Sequence, residues 1–403
     1  MTALDTIDRE TSHEPVGFAA RFLRTLLPSP TAGTLRIVTP VGETVDIAGR
    51  TNGVDATVVI ERWRAIWRLV RGGEVGFAEA FMDGDWTTPD LTRFLEWALR
   101  NEAESGAFHG HAGARLARRI AHGLRANTRR GSRRNIAAHY DLGNDFYRLW
   151  LDRGMSYSSG IYSSGVETLE EAQDAKLERI AALLDVRNDD TVLEIGCGWG
   201  GVIERLLTRQ DCRMTALTLS TEQRAYALAR VERLGVADRA DIRLEDYRDA
   251  AGQYDRIVSI EMLEAVGERY WPLYFDKLRA SLKPGGTCVL QVITIAEDRF
   301  GGYRSHPDFI QSYIFPGGML PTKTAVRAAA GAAGLSLAAE EFFGQSYART
   351  LREWLDRFKA NESAIAALGL PVRFRRMWEY YLSYCEAGFR GGAIDVGLFQ
   401  LRG

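Results

Sequence analysis

The stretch Thr191-Val-Leu-Glu-Ile-Gly-Cys-Gly-Trp-Gly-Gly201 decides the fold that we expect for this chain. An apolar, β-branched run is followed at once by glycines in the spacing GxGxGG. Glycines at such a point let the backbone turn sharply, and they let a nucleotide-like ligand approach without Cβ atoms in the way. The stretch therefore predicts a strand, a ligand-binding turn and the start of a helix.

The spacing of these glycines argues against a dinucleotide site. Such a site favours GxGxxG, with an acidic residue about 20 positions further on at the end of the next strand. Here the next predicted strand ends in Thr218-Leu-Ser220, which contains no acidic residue. NAD is therefore disfavoured, and a tight turn that binds nothing stays open as an alternative.

Strand patterns recur after the glycine turn, and helical patterns follow the first two of them. The strand patterns cover Thr191–Ile195, Arg213–Thr218, Tyr254–Ile260 and 287–293. This order is typical of a doubly wound sheet with helices on both faces. We therefore predict an α/β, Rossmann-like domain over residues 136–403.

A small α+β domain is expected over residues 1–104. It carries two strand-like runs and three helical patterns, at 35–38, 57–60, 65–70, 77–82 and 91–99. The last helix has a start signal at Thr88-Pro-Asp90. This part of the sequence shows no recognisable catalytic constellation.

Residues 105–135 are expected to form a basic amphipathic helix and linker. The segment 105–140 contains eight arginines and neither Asp nor Glu, and four arginines lie off its apolar face: Arg115, Arg118, Arg119 and Arg125. Such a pattern suits an anionic membrane surface, where each basic side chain contributes about 1 kcal/mol. A solvated helix with a flexible linker is the alternative. Nucleic acid is disfavoured because no aromatic residue interleaves with the arginines.

Composition and cysteine usage are typical of a soluble globular protein. Of the 403 residues, 46% are hydrophobic and 26% are charged, which excludes disordered, collagenous and disulfide-stapled chains. The four cysteines lie far apart without a Cys/His cluster, so we expect reduced thiols and no metal site. The sequence has no signal-peptide pattern, and no apolar run reaches the ~20 residues of a spanning helix. We expect a cytoplasmic protein that associates peripherally with the inner face of the membrane.

Several separate motifs, in order along the chain, resemble those of known enzymes. The glycine turn resembles that of class I S-adenosylmethionine-dependent methyltransferases, and Leu282-Lys-Pro-Gly-Gly286 resembles the turn that precedes a later strand in those enzymes. Further motifs resemble the cyclopropane-fatty-acyl-phospholipid synthase family, which includes the mycolic acid methyltransferases. They are FMDGDW (81–86), HYDLGNDFY (139–147), LTLSTEQ (217–223), YIFPGG (313–318) and YARTL (347–351). Within that family, EMLEAVG (261–267) is most similar to the fatty-acid 10-methylene branch of the tuberculostearic acid pathway.

This resemblance implies S-adenosylmethionine as the cofactor and a set of residues that bind it. They precede the glycine turn, form it, and follow the next two strands. They are Tyr157, Ser158, Gly196, Gly198, Gly200, Thr218, Leu219, Gln223, Asp246 and Tyr247.

The resemblance also implies a catalytic pocket in which a bicarbonate ion acts as the base. In the family this ion is held by a Cys, a Glu, a His, an Ile and a Tyr. Glu264, Ile293 and Tyr347 match the set, whereas Ser159 stands in the place of the Cys and Gln291 in that of the His. These departures argue against bound bicarbonate.

Glu261 is a candidate replacement for the missing base. It stands where the compared synthases have Gly, three residues before Glu264. On a helical turn, positions i and i+3 share a face, so we expect both carboxylates to point into one pocket. The alternative is a surface position on a helix.

Three further side chains have weaker claims to a catalytic role. Cys385 matches a family cysteine that has been assigned to catalysis, although a small thiol near helical aromatics more often belongs to the core. His139 is expected in a structural position or in a lid over the cofactor. His306 is expected in a loop.

The resemblance implies methyl transfer to the cis double bond of unsaturated acyl chains in phospholipids. The favoured product is a 10-methylene chain, which a separate flavin-dependent reductase would finish. A cyclopropane synthase is the nearest alternative, followed by a small-molecule methyltransferase and by a non-catalytic lipid-binding protein. The basic segment and extra domain argue against the small-molecule enzyme, and the intact glycine turn with Gln223 argues against a non-catalytic protein. A homodimer is compatible with the sequence.

Overall fold

The computed structural model describes residues 21, 23–25, 30–101 and 142–403. The basic segment, with Arg115, Arg118, Arg119 and Arg125, lies outside the described residues, and so does His139. Within the described part, no helix is both long and apolar enough to cross a membrane.

Residues 30–101 form a four-stranded sheet with two helices. Its elements are β1 (Thr34–Val38), β2 (Thr44–Ala48), β3 (Ala56–Ile60), α1 (Arg64–Met82), β4 (Trp86–Thr87) and α2 (Leu91–Asn101). The sheet order is β2-β1-β3-β4, with β1 and β3 parallel and the other pairs antiparallel. The predicted strands 35–38 and 57–60 are confirmed. The helical runs 65–70 and 77–82 belong to one helix, α1, which kinks at Gly73 (φ +60°).

The C-terminal part of the described chain contains a seven-stranded sheet. Its strands are β5 (Thr191–Ile195), β6 (Arg213–Thr218), β7 (Ala240–Leu244), β8 (Tyr254–Ile260), β9 (Leu282–Ile295), β10 (Ser336–Phe342) and β11 (Ile394–Arg402). The order is β10-β11-β9-β8-β5-β6-β7, and the strands from β5 to β9 are parallel. β11 lies antiparallel between β9 and β10. The predicted doubly wound α/β sheet is confirmed, while β7, β10 and β11 are strands that the sequence patterns did not predict.

Helices pack against both faces of this sheet. The helices described in this part of the chain are α3 (Asn144–Arg148), α4 (Leu169–Leu184), α5 (Gly201–Leu207), α6 (Thr221–Leu234), α7 (Leu263–Val266), α8 (Trp271–Ser281), α9 (Glu297–Ser305), α10 (Lys323–Ala332), α11 (Gly344–Ala360), α12 (Glu362–Ala367) and α13 (Val372–Arg390). Alternate side chains of β5 point to opposite faces. Val192 packs with α4, α5 and α6, whereas Leu193 and Ile195 pack with α8 and α10.

The motif Leu282-Lys-Pro-Gly-Gly286 lies within β9, not ahead of it as the sequence predicts. The pairing with β8 jumps from Tyr254–Leu282 to Arg256–Thr287, so residues 283–286 bulge out of the ladder. Gly285 has φ +74°, a value that glycine adopts without strain. The expected turn is therefore a bulge between two segments of a single strand.

The N-terminal helices share one hydrophobic core with α11 and α13. The Phe81 ring centroid lies 5.7 Å from that of Tyr380 on α13. Thr92 Oγ1 on α2 donates a hydrogen bond of 2.9 Å to the buried Glu386 Oε2 of α13. The two parts thus pack as one body in this region. The predicted domain boundaries at 104 and 135 fall outside the described residues and stay predictions.

Trp86→Ala is expected to destabilise the protein by about 3–5 kcal/mol, as is usual when a buried aromatic side chain is truncated. Trp86 is fully buried, stacks on Phe77 with centroids 4.4 Å apart, and donates from Nε1 to Phe77 O. Denaturant unfolding measures the change. The control is Trp67→Ala on α1, because Trp67 is 59% exposed and should cost less than about 1 kcal/mol. Equal losses in the two variants would contradict the packing described above.

Candidate active site

A cavity of about 770 Å³ opens at the carboxyl ends of the parallel strands. Its wall includes the residues at which β5, β6, β8 and β9 end, the usual place for a ligand in an open α/β sheet. Helices α1 and α2 contribute Glu74, Phe77 and Phe94 to the same wall, and α13 adds Tyr380, Tyr381 and Phe389. One side of the cavity is therefore formed by strand ends and turns, and the other by apolar and aromatic side chains.

Gly196 and Gly198 of the glycine turn lie on the cavity wall. Gly200 packs against Ala227 and is not among the described lining residues, so its binding role stays a prediction. Gly196, Gly198 and Gly200 have φ values of +84°, +51° and +85°, which glycine tolerates far better than other residues. The N–H groups of Gly196 and Cys197 donate to Leu217 O, and these bonds fix the turn against β6. A Cβ atom on Gly198 would meet no protein atom within 4 Å. The turn can therefore accept a ligand against its backbone.

Most of the other residues predicted for the cofactor also lie on this wall: Tyr157, Ser158, Thr218, Leu219, Gln223 and Tyr247. Thr218 Oγ1 donates to Gln223 Oε1 at 2.8 Å, which orients the amide at the end of β6. Asp246 differs, because its carboxylate accepts two hydrogen bonds from the Arg248 guanidinium group and one from the Arg248 backbone N–H, and it is not among the described residues that line the cavity. Glu245, which the sequence reasoning missed, lines the cavity beside Tyr247. The binding role of Asp246 stays a prediction.

Glu261 lies in the connection between β8 and α7, where its backbone has φ +48°. Its Oε1 accepts hydrogen bonds from Ser159 N at 2.9 Å and from Gln291 Nε2 at 2.7 Å. Its Oε2 accepts from Tyr347 Oη at 2.7 Å. The helical-turn argument for Glu261 was wrong, because α7 begins only at Leu263. The expected outcome nevertheless holds, since Glu261 and Glu264 both line the cavity.

The two carboxylates have different surroundings. Burial raises the pKa of Glu261 above its usual value, and hydrogen bonds from Ser159, Tyr347 and Gln291 and the nearby positive charge of Lys176 only partly offset this increase. Burial and then the charge of Glu261 raise the pKa of Glu264 to about 8. Glu264 Oε1 accepts from Ile293 N, and its buried Oε2 has no hydrogen-bond partner in the described structure. These surroundings favour an ionised Glu261 beside a protonated Glu264 at neutral pH.

Ser159 and Gln291 support Glu261 from behind the cavity wall. Both side chains are buried, and neither residue is part of the described lining. Ser159 acts through its backbone N–H, because its hydroxyl donates to Gly160 O at 2.7 Å. Glu261 N in turn donates to Gln291 O at 2.8 Å. Ile293 and Tyr347, by contrast, lie on the cavity surface.

Cys385 and His306 also line the cavity. Burial raises the pKa of the Cys385 thiol, so this group stays protonated and is a poor nucleophile. His306 lies in the loop after α9, as predicted, but its place on the cavity wall was missed. The sequence reasoning also missed Lys176, a buried residue of α4 whose Nζ donates to Ser158 Oγ at 2.7 Å.

Comparisons with known proteins extend these observations. A family model described as mycolic acid cyclopropane synthetase matches residues 127–399. A tuberculostearic acid methyltransferase from Mycobacterium tuberculosis is 39% identical over 348 residues, which cover 82% of this chain and 79% of that protein. A cyclopropane-fatty-acyl-phospholipid synthase from Escherichia coli is 37% identical over 338 residues, which cover 83% of this chain and 84% of that protein.

Solved structures confirm the class I methyltransferase fold. A mycolic acid cyclopropane synthase complexed with SAH and CTAB is 31% identical with a TM-score of 0.64, covering 67% of this chain and 98% of that chain. A coclaurine N-methyltransferase, 19% identical with a TM-score of 0.63, shares the fold over 82% of this chain and 99% of its own. The predicted fold and the predicted family resemblance are both confirmed.

Gly198→Val is expected to abolish S-adenosylmethionine binding, which calorimetry measures. The branched side chain would fill the open space beside the turn. Gly285→Val is the matched control, because Gly285 also has a positive φ and open surroundings but does not line the described cavity. It should keep the affinity of the parent chain. If Gly198→Val binds S-adenosylmethionine with near-parental affinity, the cofactor does not bind at this turn.

Proposed function

The chain belongs to the mycolic acid cyclopropane synthetase family, and on that premise we propose that it methylates the cis double bond of unsaturated acyl chains in phospholipids. It is an S-adenosylmethionine-dependent methyltransferase that acts on lipid acyl chains. The product that we propose is a 10-methylene-branched chain. The similarity to a tuberculostearic acid methyltransferase supports this product.

The observation that carries the proposal is the set of donors around Glu261. The family resemblance assigns the positions of Ser159, Gln291 and Tyr347 to the bicarbonate site, and here all three donate to the Glu261 carboxylate. These donors are therefore already engaged, and a second anion beside this carboxylate would be repelled. The residues present do not fit a bicarbonate ion. We propose that Glu261 is the base in its place.

The chemistry requires a base at this point. S-adenosylmethionine bound against the glycine turn would supply the methyl group. An alkene is a weak nucleophile, so it must be held in place and shielded from water, which the aromatic side of the cavity provides. Methylation leaves a positive charge on the former double bond, and the carboxylate and the faces of aromatic rings stabilise this charge.

The base then determines the product. A hydride shift moves the positive charge onto the carbon that bears the new methyl group. Transfer of a methyl proton to a Glu261 oxygen then leaves the C–H bonding pair as the exocyclic double bond. Proton loss without the shift closes a cyclopropane ring. That second outcome is the alternative function, supported by the similarity to a cyclopropane-fatty-acyl-phospholipid synthase.

The proposal includes a location and partners. The segment 105–135 would hold the cytoplasmic enzyme against the inner face of an anionic membrane, where its phospholipid substrates lie. A flavin-dependent reductase would act on the methylene product. We also propose that the enzyme forms a homodimer, which light scattering tests. Nucleic acid is not proposed as a partner.

Glu261→Gln is expected to lower the rate of product formation by ~10²–10⁴-fold, the usual contribution of a general base. The amide keeps the size of the side chain but cannot accept the proton. S-adenosylmethionine binding should survive, which calorimetry checks. The wild-type rate should also be independent of added bicarbonate.

Glu261→Gly is the sharper comparison because it restores the residue that the compared synthases have. The backbone at φ +48° suits glycine, so the substitution adds no backbone strain at this position. We expect it to lose activity unless bicarbonate is added. Full activity of Glu261→Gly without bicarbonate would show that Glu261 is not the base, and a wild-type requirement for bicarbonate would favour the cyclopropane route.

Replacing Arg115, Arg118, Arg119 and Arg125 by Gln is expected to weaken binding to anionic phospholipid vesicles. Each arginine contributes about 1 kcal/mol at such a surface. Vesicle co-sedimentation measures the change, and wild-type binding should fall as salt rises. Replacing Arg36, Arg187, Arg209 and Arg375 by Gln removes the same charge elsewhere and serves as the control. If both variants bind the vesicles equally well, the segment 105–135 is only a linker.

A further inference from the structure

Lys176 is a buried cation at the active-site cavity that the mechanism above does not use. It lies on α4, is 2% exposed, and lines the cavity. Its Nζ donates to Ser158 Oγ at 2.7 Å. Among the residues that the structure describes, it forms no ion pair within 4.0 Å. A buried ammonium group without a close counter-ion is costly, so its presence calls for a reason.

Lys176 and Glu261 are joined through the segment Ser158-Ser159. Lys176 donates to the Ser158 hydroxyl, and the next residue, Ser159, donates its backbone N–H to Glu261 Oε1. One helical turn before Lys176, Gln173 Nε2 donates to Ser158 O at 2.8 Å. Two side chains of α4 therefore hold the segment that presents a donor to Glu261.

The charges of Lys176 and Glu261 also act on each other. Burial lowers the pKa of Lys176 to about 8, and the carboxylate of Glu261, followed by that of Asp152, opposes this change. Asp152 itself accepts hydrogen bonds from the N–H groups of Gly154 and Ser156. Lys176 is mainly charged at neutral pH, and it opposes the effect of burial on Glu261.

The other titratable groups that face Glu261 do not supply a positive charge. Burial raises the pKa of Tyr347 on α11 and of Cys385 on α13, so both groups are neutral. Glu264 on α7 has a pKa raised to about 8, so it is neutral at pH 7 and becomes negative, never positive, at higher pH.

We infer that Lys176 is a positioning residue for the reaction, whose buried ammonium group keeps the Glu261 carboxylate ionised and ready to accept a proton. The inference rests on the proposed role of Glu261 as the base. It assigns to α4 a part in the chemistry, in addition to the hydrogen bonds that Gln173 and Lys176 donate to Ser158.

The test is the pH dependence of the rate of the full-length enzyme on unsaturated phospholipid vesicles. A base works only when ionised, so the rate falls as the pH drops through the pKa of Glu261. Without the positive charge of Lys176, less opposes the effect of burial, so the pKa of Glu261 rises. The acid limb of the pH–rate profile then moves to higher pH. We expect a shift of roughly one pH unit, the low end of what a nearby opposite charge contributes.

Two variants separate charge from hydrogen bonding. Lys176→Met removes both, whereas Lys176→Gln can still donate to Ser158, and we expect both to shift the acid limb. The matched control is Gln173→Leu, which removes the neighbouring bond to Ser158 O without changing charge. It can lower the rate, but it should leave the midpoint of the acid limb in place. Calorimetric binding of S-adenosylmethionine confirms that each variant is folded.

Failure of this inference can be told apart from failure of the proposed function. If Lys176→Met and Lys176→Gln lower the rate by the same factor at every pH, Lys176 has only a structural role. If the shift occurs in Lys176→Met but is absent in Lys176→Gln, the hydrogen bond and not the charge is responsible. If Glu261→Gly keeps full activity without bicarbonate, the assignment of the base itself is wrong.

Discussion

A carboxylate buried in the wall of a largely apolar cavity is the constraint on which the site depends. Removing an ion from water costs several kcal/mol, so Glu261 must be matched by donors and by opposite charge. Its partners come from the segment before α4, from β9 and from α11. These elements are far apart in the sequence, and the left-handed backbone at residue 261 is needed to reach them all. The site therefore exists only when the sheet and α11 are assembled.

The N-terminal helices α1 and α2 contribute to the apolar side of the cavity. After the kink at Gly73, α1 contributes Glu74 and Phe77 to the wall, and α2 contributes Phe94. These helices share a core with α13, which supplies aromatic residues to the same side. The hydrophobic contacts that stabilise the two parts against each other are thus continuous with those that form the apolar half of the cavity. A change in that core is expected to alter the shape of the cavity as well as stability.

Sequence patterns predicted the parts of the structure that local rules govern. The glycine turn, β5 and β6 follow from glycine chemistry and strand patterning, and most of the residues that the motifs predict for the cofactor line the cavity. β10 was missed because its sequence, SLAAEEF, has neither a buried run nor a clear alternation. The position of Glu261 was foreseen for the wrong reason, because a positive φ cannot be read from residue spacing. Lys176 was missed because a lysine in the charged helix LEEAQDAKLERIAALL is typical of a solvated face. Its burial depends on tertiary packing that no local pattern encodes.

The place of β11 in the sheet has a consequence for synthesis of the chain. β9, fourteen residues long and mostly buried, pairs with β8 on one side and with β11 on the other. A nascent chain that has not yet reached residue 394 must therefore carry β9 with one open edge, and β10 with no neighbour in the sheet. Open hydrophobic edges recruit other strands. The order of the strands thus makes the interval between emergence of β9 and emergence of β11 the period in which this protein is most exposed to aggregation and most dependent on chaperones.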